Sequence, residues 1–180
     1  MPETMTVEQA RELVFERVSV LPSEEVELLE ALGRVLASDV RSDIDVAPFD
    51  NSAMDGFAVR VADVAGASED APVTLDVIAH IGAGDDVGGI TVGPGQAARI
   101  MTGAAVPAGA DSVVMVEHTQ RVEGDGSVGS RVAFLRAPTV GEHVRRRGEE
   151  VRTGDVVISA GDVLGPAAIG LLAATGNAHV

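Results

Sequence analysis

The sequence predicts an α+β fold that is mostly β, in which residues from both chain ends build one subdomain and the middle of the chain builds another. Three observations carry this. Twenty-one Gly and eight Pro in 180 residues demand many turns and short strands rather than a helix bundle. Trp, Tyr and Cys are absent and only four Phe are present, so Val, Ala, Leu and Ile must supply the core of a chain that is 46% hydrophobic. Helical periodicity is confined to the two ends, and the β candidates lie between them.

Thr6 followed by Gln9 makes a capping box, and Val7, Ala10, Leu13, Val14 and Val18 recur at helical spacing. A first amphipathic helix is therefore predicted to about Val18, with Pro22 as its stop. Ser23 is a candidate cap for a second, shorter helix through Leu28, Leu29 and Leu32, halted by Gly33 before a strand over 35–40. Between residues 42 and 56 the periodicity gives way to Asp43, Asp45, Asp50 and Asp55 with Pro48, Asn51 and Ser52. Phe49, Met54 and Phe57 supply apolar anchors, so this is a structured loop and not a linker.

Strands are predicted at 57–61, 73–81, 97–101, 112–117 and 131–135. The charged turns around 82–89 and 123–129 read as exposed hairpin ends. Beyond them come a turn at Thr153-Gly154-Asp155, a strand over 156–158 and a last helix. Pro166 suits that helix's first turn, 167–174 its body and Gly176 its C-terminal cap. Its Ala- and Gly-rich surface predicts close packing, so the helical ends are expected to meet and to carry the middle as an insertion. The expected division is 1–49 with 143–180, and 50–142 between them.

Several function classes are excluded by composition. With 13 basic and 28 acidic residues the formal net charge is −15, which repels phosphate backbones and leaves no basic stripe for nucleic acid. The absence of cysteine removes disulfides, thiolate metal sites and a cysteine nucleophile. Met1-Pro2-Glu3-Thr4 lacks the basic start of a signal peptide, and the longest uncharged run, 163–179, is too interrupted by Gly and Pro to span a bilayer. The expectation is a soluble, cytoplasmic protein without a membrane segment.

Generic motifs also fail. Asp43, Asp45 and Asp50 do not form a calcium loop, because Ala47 and Pro48 stand where a ligand and a Gly are needed. Gly82-Ala83-Gly84 is followed by Val87 where a dinucleotide fingerprint needs its third Gly. His80, His118, His143 and His179 have no ligand spacing.

Two segments and a basic triplet remain. Residues 48–59, Pro-Phe-Asp-Asn-Ser-Ala-Met-Asp-Gly-Phe-Ala-Val, put Asp50, Asn51, Ser52 and Asp55 beside a flexible Gly. Hard oxygen ligands of this kind suit Mg²⁺ or an anionic substrate held through it, although spacing alone favours a set of turn caps. Residues 99–111 place Thr102 and Gly103 at the end of a strand, where a hydroxyl and backbone N–H groups could receive an oxyanion, although spacing alone favours an ordinary strand-to-turn junction. Arg145, Arg146 and Arg147 stand out in so acidic a chain. They could attract phosphate or molybdate, or form a salt-bridged surface with Glu142, Glu149 and Glu150, which spacing favours.

Taken together in this order, 48–59, Arg99-Ile100-Met101-Thr102-Gly103-Ala104, Val106-Pro107 and Arg145-Arg146-Arg147-Gly148-Glu149 resemble the signature blocks of the MoeA/gephyrin family of molybdopterin molybdenumtransferases. The block 31–40, Ala-Leu-Gly-Arg-Val-Leu-Ala-Ser-Asp-Val, adds a further likeness, and the resemblance covers essentially the whole chain. Phe57 departs from the Tyr common in the first block, and Glu150 from the Asp usual after the Gly-Glu pair.

The resemblance implies a β-rich, barrel-like inserted subdomain and an elongated homodimer. It implies an enzyme that places molybdate into adenylyl-molybdopterin, with Mg²⁺ and release of AMP, in molybdenum-cofactor biosynthesis. Asp55 and Thr102 match the family's functional aspartate and threonine, Asp55 as a Mg²⁺ ligand or a guide for the adenylylated ligand and Thr102 as a hydroxyl donor to an oxyanion. Asp50, Asn51, Ser52 and Gly103 bind substrate or support the loops, and the three arginines attract the anion. The chain ends about where a pterin-binding α/β domain is expected, with a C-terminal β domain after it. The expectation is half a site, inactive alone, completed by the pterin-binding domain of the dimer mate and served by an adenylyl-molybdopterin-forming protein. A gephyrin-like dimerisation or scaffold module is the alternative.

Overall fold

A computed structural model describes residues 5–180; the four N-terminal residues, where a signal peptide was sought, lie outside the described residues. α1 (Val7–Phe15) starts at the expected capping box: the Thr6 hydroxyl accepts the Gln9 N–H and the Gln9 side chain accepts the Thr6 N–H. It ends a turn short of Val18 and buries none of its residues, so no tertiary packing holds a longer helix together.

The second helix is not formed. A single 3-10 turn, Leu28–Glu30, replaces it, with Glu27 and not Ser23 before it. The reason lies at the other end of the chain. Val26 N–H bonds to the Val180 carbonyl, Leu28 N–H to that of Ala178, and Val180 N–H returns to Val26. Extended pairing consumes the donors a helix would have used.

The strand expected over 35–40 shrinks to β1 (Val40–Arg41), plus a single bridge from Val35 to Val163. Then come β2 (Asn51–Ser52), β3 (Gly56–Val59) and the one-turn helix α2 (Val61–Val64). α2 cuts short the strand expected to Val61, because the Asp111 carboxylate takes the Val61 N–H at 2.7 Å. β4 (Val73–Ile81), β5 (Gln96–Ile100), β6 (Ser112–Met115), β7 (Thr119–Glu123) and β8 (Arg131–Phe134) follow. The chain ends with β9 (Val144–Arg145), β10 (Val156–Ile158) and α3 (Pro166–Ala174).

A six-stranded sheet in the order β6-β3-β5-β4-β8-β7 dominates the molecule. Its edge strands β6 and β7 are joined only by the 3-10 turn Val116–His118. In a flat sheet those edges would stand about 24 Å apart at the usual strand spacing, and a link of this length reaches roughly 14 Å at most. The sheet therefore curls into a half-barrel. β4 and β5 run parallel, so the segment between them is a crossover and not the hairpin end expected around 82–89. The turn at 123–129 does close the β7–β8 hairpin.

Both faces of the sheet are covered, so β3 is buried at every position, as befits a central strand. Phe57, Leu75, Val77, Val132 and Phe134 belong to one cluster, Ala58, Ile81, Ala98, Ile100 and Val113 to the other. Phe57 and Phe134 meet edge to face, 5.8 Å between centroids at 80°.

The chain ends do meet, but through the Leu28–Glu30 turn and β1 rather than through α1. β1 pairs with β10, and Ala31, Leu36, Ile158, Leu164 and Leu172 form a third cluster. α3 closes as expected: Gly176 takes φ +90°, its N–H reaches Ala173 and the Asn177 N–H reaches Leu172, the paired bonds of a Schellman cap. A short pairing of β2 with β9 ties the large sheet's entry loop to the tail. Among the described residues no helix is long and apolar enough to cross a membrane.

Candidate functional site

β3 and β5 are antiparallel neighbours with Gly56 opposite Ile100, which brings the residue before β3 beside the residues after β5. That register seats Asp55 against Thr102, 47 positions away in sequence. Asp55 Oδ1 accepts the Thr102 amide at 2.7 Å and its hydroxyl at 2.8 Å. These two bonds, amide first, hold the Asp55 carboxyl below the usual range, and the charge of Arg99 adds to them. Asp55 is exposed, ionised, and keeps Oδ2 free of hydrogen bonds among the described residues.

Gly56 is required where it stands. A Cβ there would lie 2.1 Å from the Val114 carbonyl oxygen of β6, so the Asp-Gly order next to the site follows from how closely β3 and β6 approach. Arg99, opposite Phe57, bonds the Gly56 carbonyl at 3.1 Å and sits 5.1 Å above the Phe57 ring, a cation–π contact that fixes the guanidinium. Sequence reasoning passed over Arg99 as a site residue; the available signal was a cation one position along β5 from the buried Ala98 and Ile100, an expensive placement for a strand with two covered faces.

The second segment departs from the chemistry expected of it. Thr102 N–H goes to Asp55, Gly103 N–H to the Ser52 carbonyl at 2.8 Å and Ala104 N–H to Met101 at 3.0 Å. The Thr102 hydroxyl proton is likewise committed to Asp55. The turn therefore offers no outward-facing donors from 102–104 to an oxyanion, and Thr102 acts on Asp55. Gly103, at φ +82°, makes the turn at a conformation few other residues tolerate.

Asn51 and Ser52 are buried, at 5% and 0% exposure, and serve the loop. Ser52 Oγ donates to the Met54 carbonyl at 2.6 Å and accepts the Met54 N–H, while Asn51 donates to the Phe49 carbonyl at 3.2 Å. The Ser52 carbonyl receives both the Gly103 N–H and Arg145 Nη2, the latter at 3.1 Å. One backbone oxygen thus joins all the segments that the sequence singled out. Phe49, expected as an apolar anchor, is 44% exposed and lines a cleft instead.

The arginines are not equivalent. Asp50 accepts Arg146 Nη1 at 2.6 Å and the Arg147 amide at 2.8 Å. Asp45 accepts Arg147 Nε at 2.6 Å together with the Thr153 amide and hydroxyl. The backbone bonds from Arg147 and Thr153 are the main causes that lower the Asp50 and Asp45 carboxyls respectively. The partners expected for the triplet, Glu142, Glu149 and Glu150, do not pair with its guanidiniums: Glu142 pairs with Arg136, and Glu149 accepts only the Arg146 amide. The aspartates win because the β2–β9 register pairs Asn51 with Arg145, beside Asp50, and the bridge from Val46 to Val151 holds Asp45 near the same loop. Arg145 has no carboxylate partner among the described residues.

Arg145 and Arg146 line a cleft of about 270 Å³ with Phe49, Asn51, Gly103, Glu149 and Glu150. Gly103 connects this cleft to the Asp55–Thr102 pair. Among the described residues no group of three His, Cys, Asp or Glu could hold a metal. The donors fit the sparser mode of Mg²⁺, which takes one or two carboxylates and completes its shell with water and phosphate; Asp55 Oδ2 is such a carboxylate.

Residues 5–176 match the family model described as the MoeA N-terminal region (domain I and II). The chain is 44% identical over 158 residues to the molybdopterin molybdenumtransferase of Bacillus subtilis, covering 88% of this chain and 36% of that protein. It is 43% identical over 176 residues to molybdopterin molybdenumtransferase 2 of Mycobacterium tuberculosis, covering 97% and 42% respectively. A crystal structure of a molybdopterin biosynthesis MoeA protein from Pyrococcus horikosii superposes with a TM-score of 0.83 at 36% identity, over 99% of this chain and 44% of that one. The chain thus spans about two fifths of the length of these relatives.

Proposed function

The chain belongs to the MoeA family, whose N-terminal region it spans, and on that premise we propose that it supplies one wall of the site that inserts molybdate into adenylyl-molybdopterin during molybdenum-cofactor biosynthesis. Molybdate and the adenylylated pterin are the substrates, and AMP and the molybdenum cofactor the products. The pterin-binding domain of a dimer mate forms the opposite wall, and an adenylyl-molybdopterin-forming protein delivers the substrate. The observation that carries the reading is the paired bond from Thr102 to Asp55, which keeps a carboxylate ionised and oriented beside Gly103, a residue that lines one cleft with the unpaired Arg145.

Each residue has its task. Asp55 presents Oδ2 to the incoming substrate, in a position to hold Mg²⁺, which when bound would neutralise charge on the phosphate. Thr102 orients Asp55, and Arg99 adds a fixed positive charge behind it. Asp50, Asn51, Ser52 and Gly103 keep the two loops in register, and the arginine face attracts the anion. The reading keeps the proposed division into 1–49 with 143–180 and 50–142, in which the β2–β9 pair would strap the two parts across their boundary. A scaffold needs no carboxylate held ionised in this way, which favours the enzyme.

The test is Asp55→Ala in a full-length family protein that carries this N-terminal region, assayed for cofactor formation from adenylyl-molybdopterin, molybdate and Mg²⁺. Loss of turnover by at least a hundredfold, with thermal unfolding unchanged, is expected. Wild-type turnover in that variant would overturn the proposal.

A further inference from the structure

The proposed site treats its arginine triplet as one attractive face, and the geometry separates the members. Arg147 is committed to Asp45 through Nε, and its amide to Asp50. Arg146 is committed to Asp50 through Nη1. A guanidinium already paired with a carboxylate has little charge to offer a ligand and must break that pair to move.

Arg145 differs in each respect. Its side chain makes one hydrogen bond, from Nη2 to the Ser52 carbonyl, and that neutral acceptor leaves its charge uncompensated. The bond also restrains the guanidinium, since Ser52 is fully buried and its carbonyl is shared with Gly103 N–H. The remaining donors face the cleft that Asn51 and Gly103 help to line. A preoriented guanidinium with free donors and no counter-ion is the arrangement that binds a tetrahedral oxyanion.

Resting on the function proposed above, we infer that Arg145 alone of the triplet reads the anion, a phosphate or molybdate oxyanion, while Arg146 and Arg147 are positioning residues that brace the loop carrying it. Glu150 sets a limit on that affinity. Its side chain lines the same cleft and makes no hydrogen bond or ion pair among the described residues, and its charge opposes an anion's. The two side chains should therefore act with opposite sign.

The experiment titrates sodium molybdate and inorganic pyrophosphate, in separate arms, into this chain and into Arg145→Gln, Arg147→Gln and Glu150→Gln, following binding by calorimetry and folding by thermal melts. The two arms distinguish molybdate from phosphate as the source of the oxyanion. Arg145→Gln should weaken binding roughly tenfold or more, the loss of a charge-assisted contact, with an unchanged melt. Arg147→Gln should lower the melting temperature and weaken binding by clearly less than Arg145→Gln does, since it loses a brace of the loop and not a contact to the anion. Glu150→Gln should tighten binding. Equal losses for Arg145→Gln and Arg147→Gln, a neutral Arg145→Gln, or no binding of either ion to the wild-type chain at tens of millimolar would overturn the assignment. Failure of cofactor synthesis to depend on Asp55 would leave these titrations untouched, so the two readings fail separately.

Discussion

Asp55 Oδ1 accepts both the backbone amide and the hydroxyl of Thr102, so the threonine is a clamp on the carboxylate. Thr102→Val keeps the amide bond and the shape but removes the hydroxyl, the second largest cause of the lowered Asp55 value. The Asp55 carboxyl should then titrate higher than in the wild type, toward the usual value near about 4, while Thr102→Ser should restore it. Carboxyl-carbon NMR titration reads this directly. An unmoved Asp55 in Thr102→Val would mean that the hydroxyl does not act through Asp55.

Gly56, next to Asp55, lets β3 lie close against β6. Replacement by Ala drives a methyl into the Val114 carbonyl, 2.1 Å away, with the Val114 carbonyl carbon 2.9 Å off. Because both obstacles are backbone of the central sheet, relief requires parting β3 from β6. Gly56→Ala should cost about 3 kcal/mol or more, measured by urea unfolding. A loss below about 1 kcal/mol would show that the sheet separates more easily than its buried register implies.

Ser52 bears on the loop. Its hydroxyl closes a local turn on Met54 inside a residue with no exposure. Ser52→Ala should cost about 1–3 kcal/mol, the range for leaving buried partners unpaired, and should speed amide exchange at Met54 and Gly103 above that at Val113. Uniform acceleration across all three would place the damage in the sheet rather than in the loop.

What was legible in the sequence follows from how local each cause is. The Thr6–Gln9 capping box, β4 and the cap at Gly176 rest on neighbouring residues, and they stand where expected. The helix at Ser23 failed because its donors pair with Ala178 and Val180, a contact that no local pattern announces. β7 was missed because Thr119–Glu123 is a polar edge strand whose only sheet neighbour is β8. The blocks around Asp55, Thr102 and Arg145 stood out, but their joint on the Ser52 carbonyl is a backbone contact invisible in side-chain identity. The direction of the Thr102 hydroxyl and the separation of Arg145 from its neighbours likewise depend on contacts between segments far apart in the chain.

Acid tests the braces. Asp45, Asp50 and Asp55 all have folded values below their ordinary ones, so the unfolded chain binds protons first. Their stabilisation is complete above the unfolded value near about 4 and is lost as pH falls through the lower folded values. Protonation of unpaired carboxylates acts in the other sense, relieving the self-repulsion of a −15 chain, so the wild-type curve alone is ambiguous. The difference between wild type and Asp50→Asn isolates one brace. That difference should favour the wild type and stay flat above about pH 5, then shrink below about pH 4 as Asp50 takes up its proton. Urea midpoints from pH 3 to 7 measure it, and a difference that grows on acidification would mean that Asp50 is held above, and not below, its ordinary value.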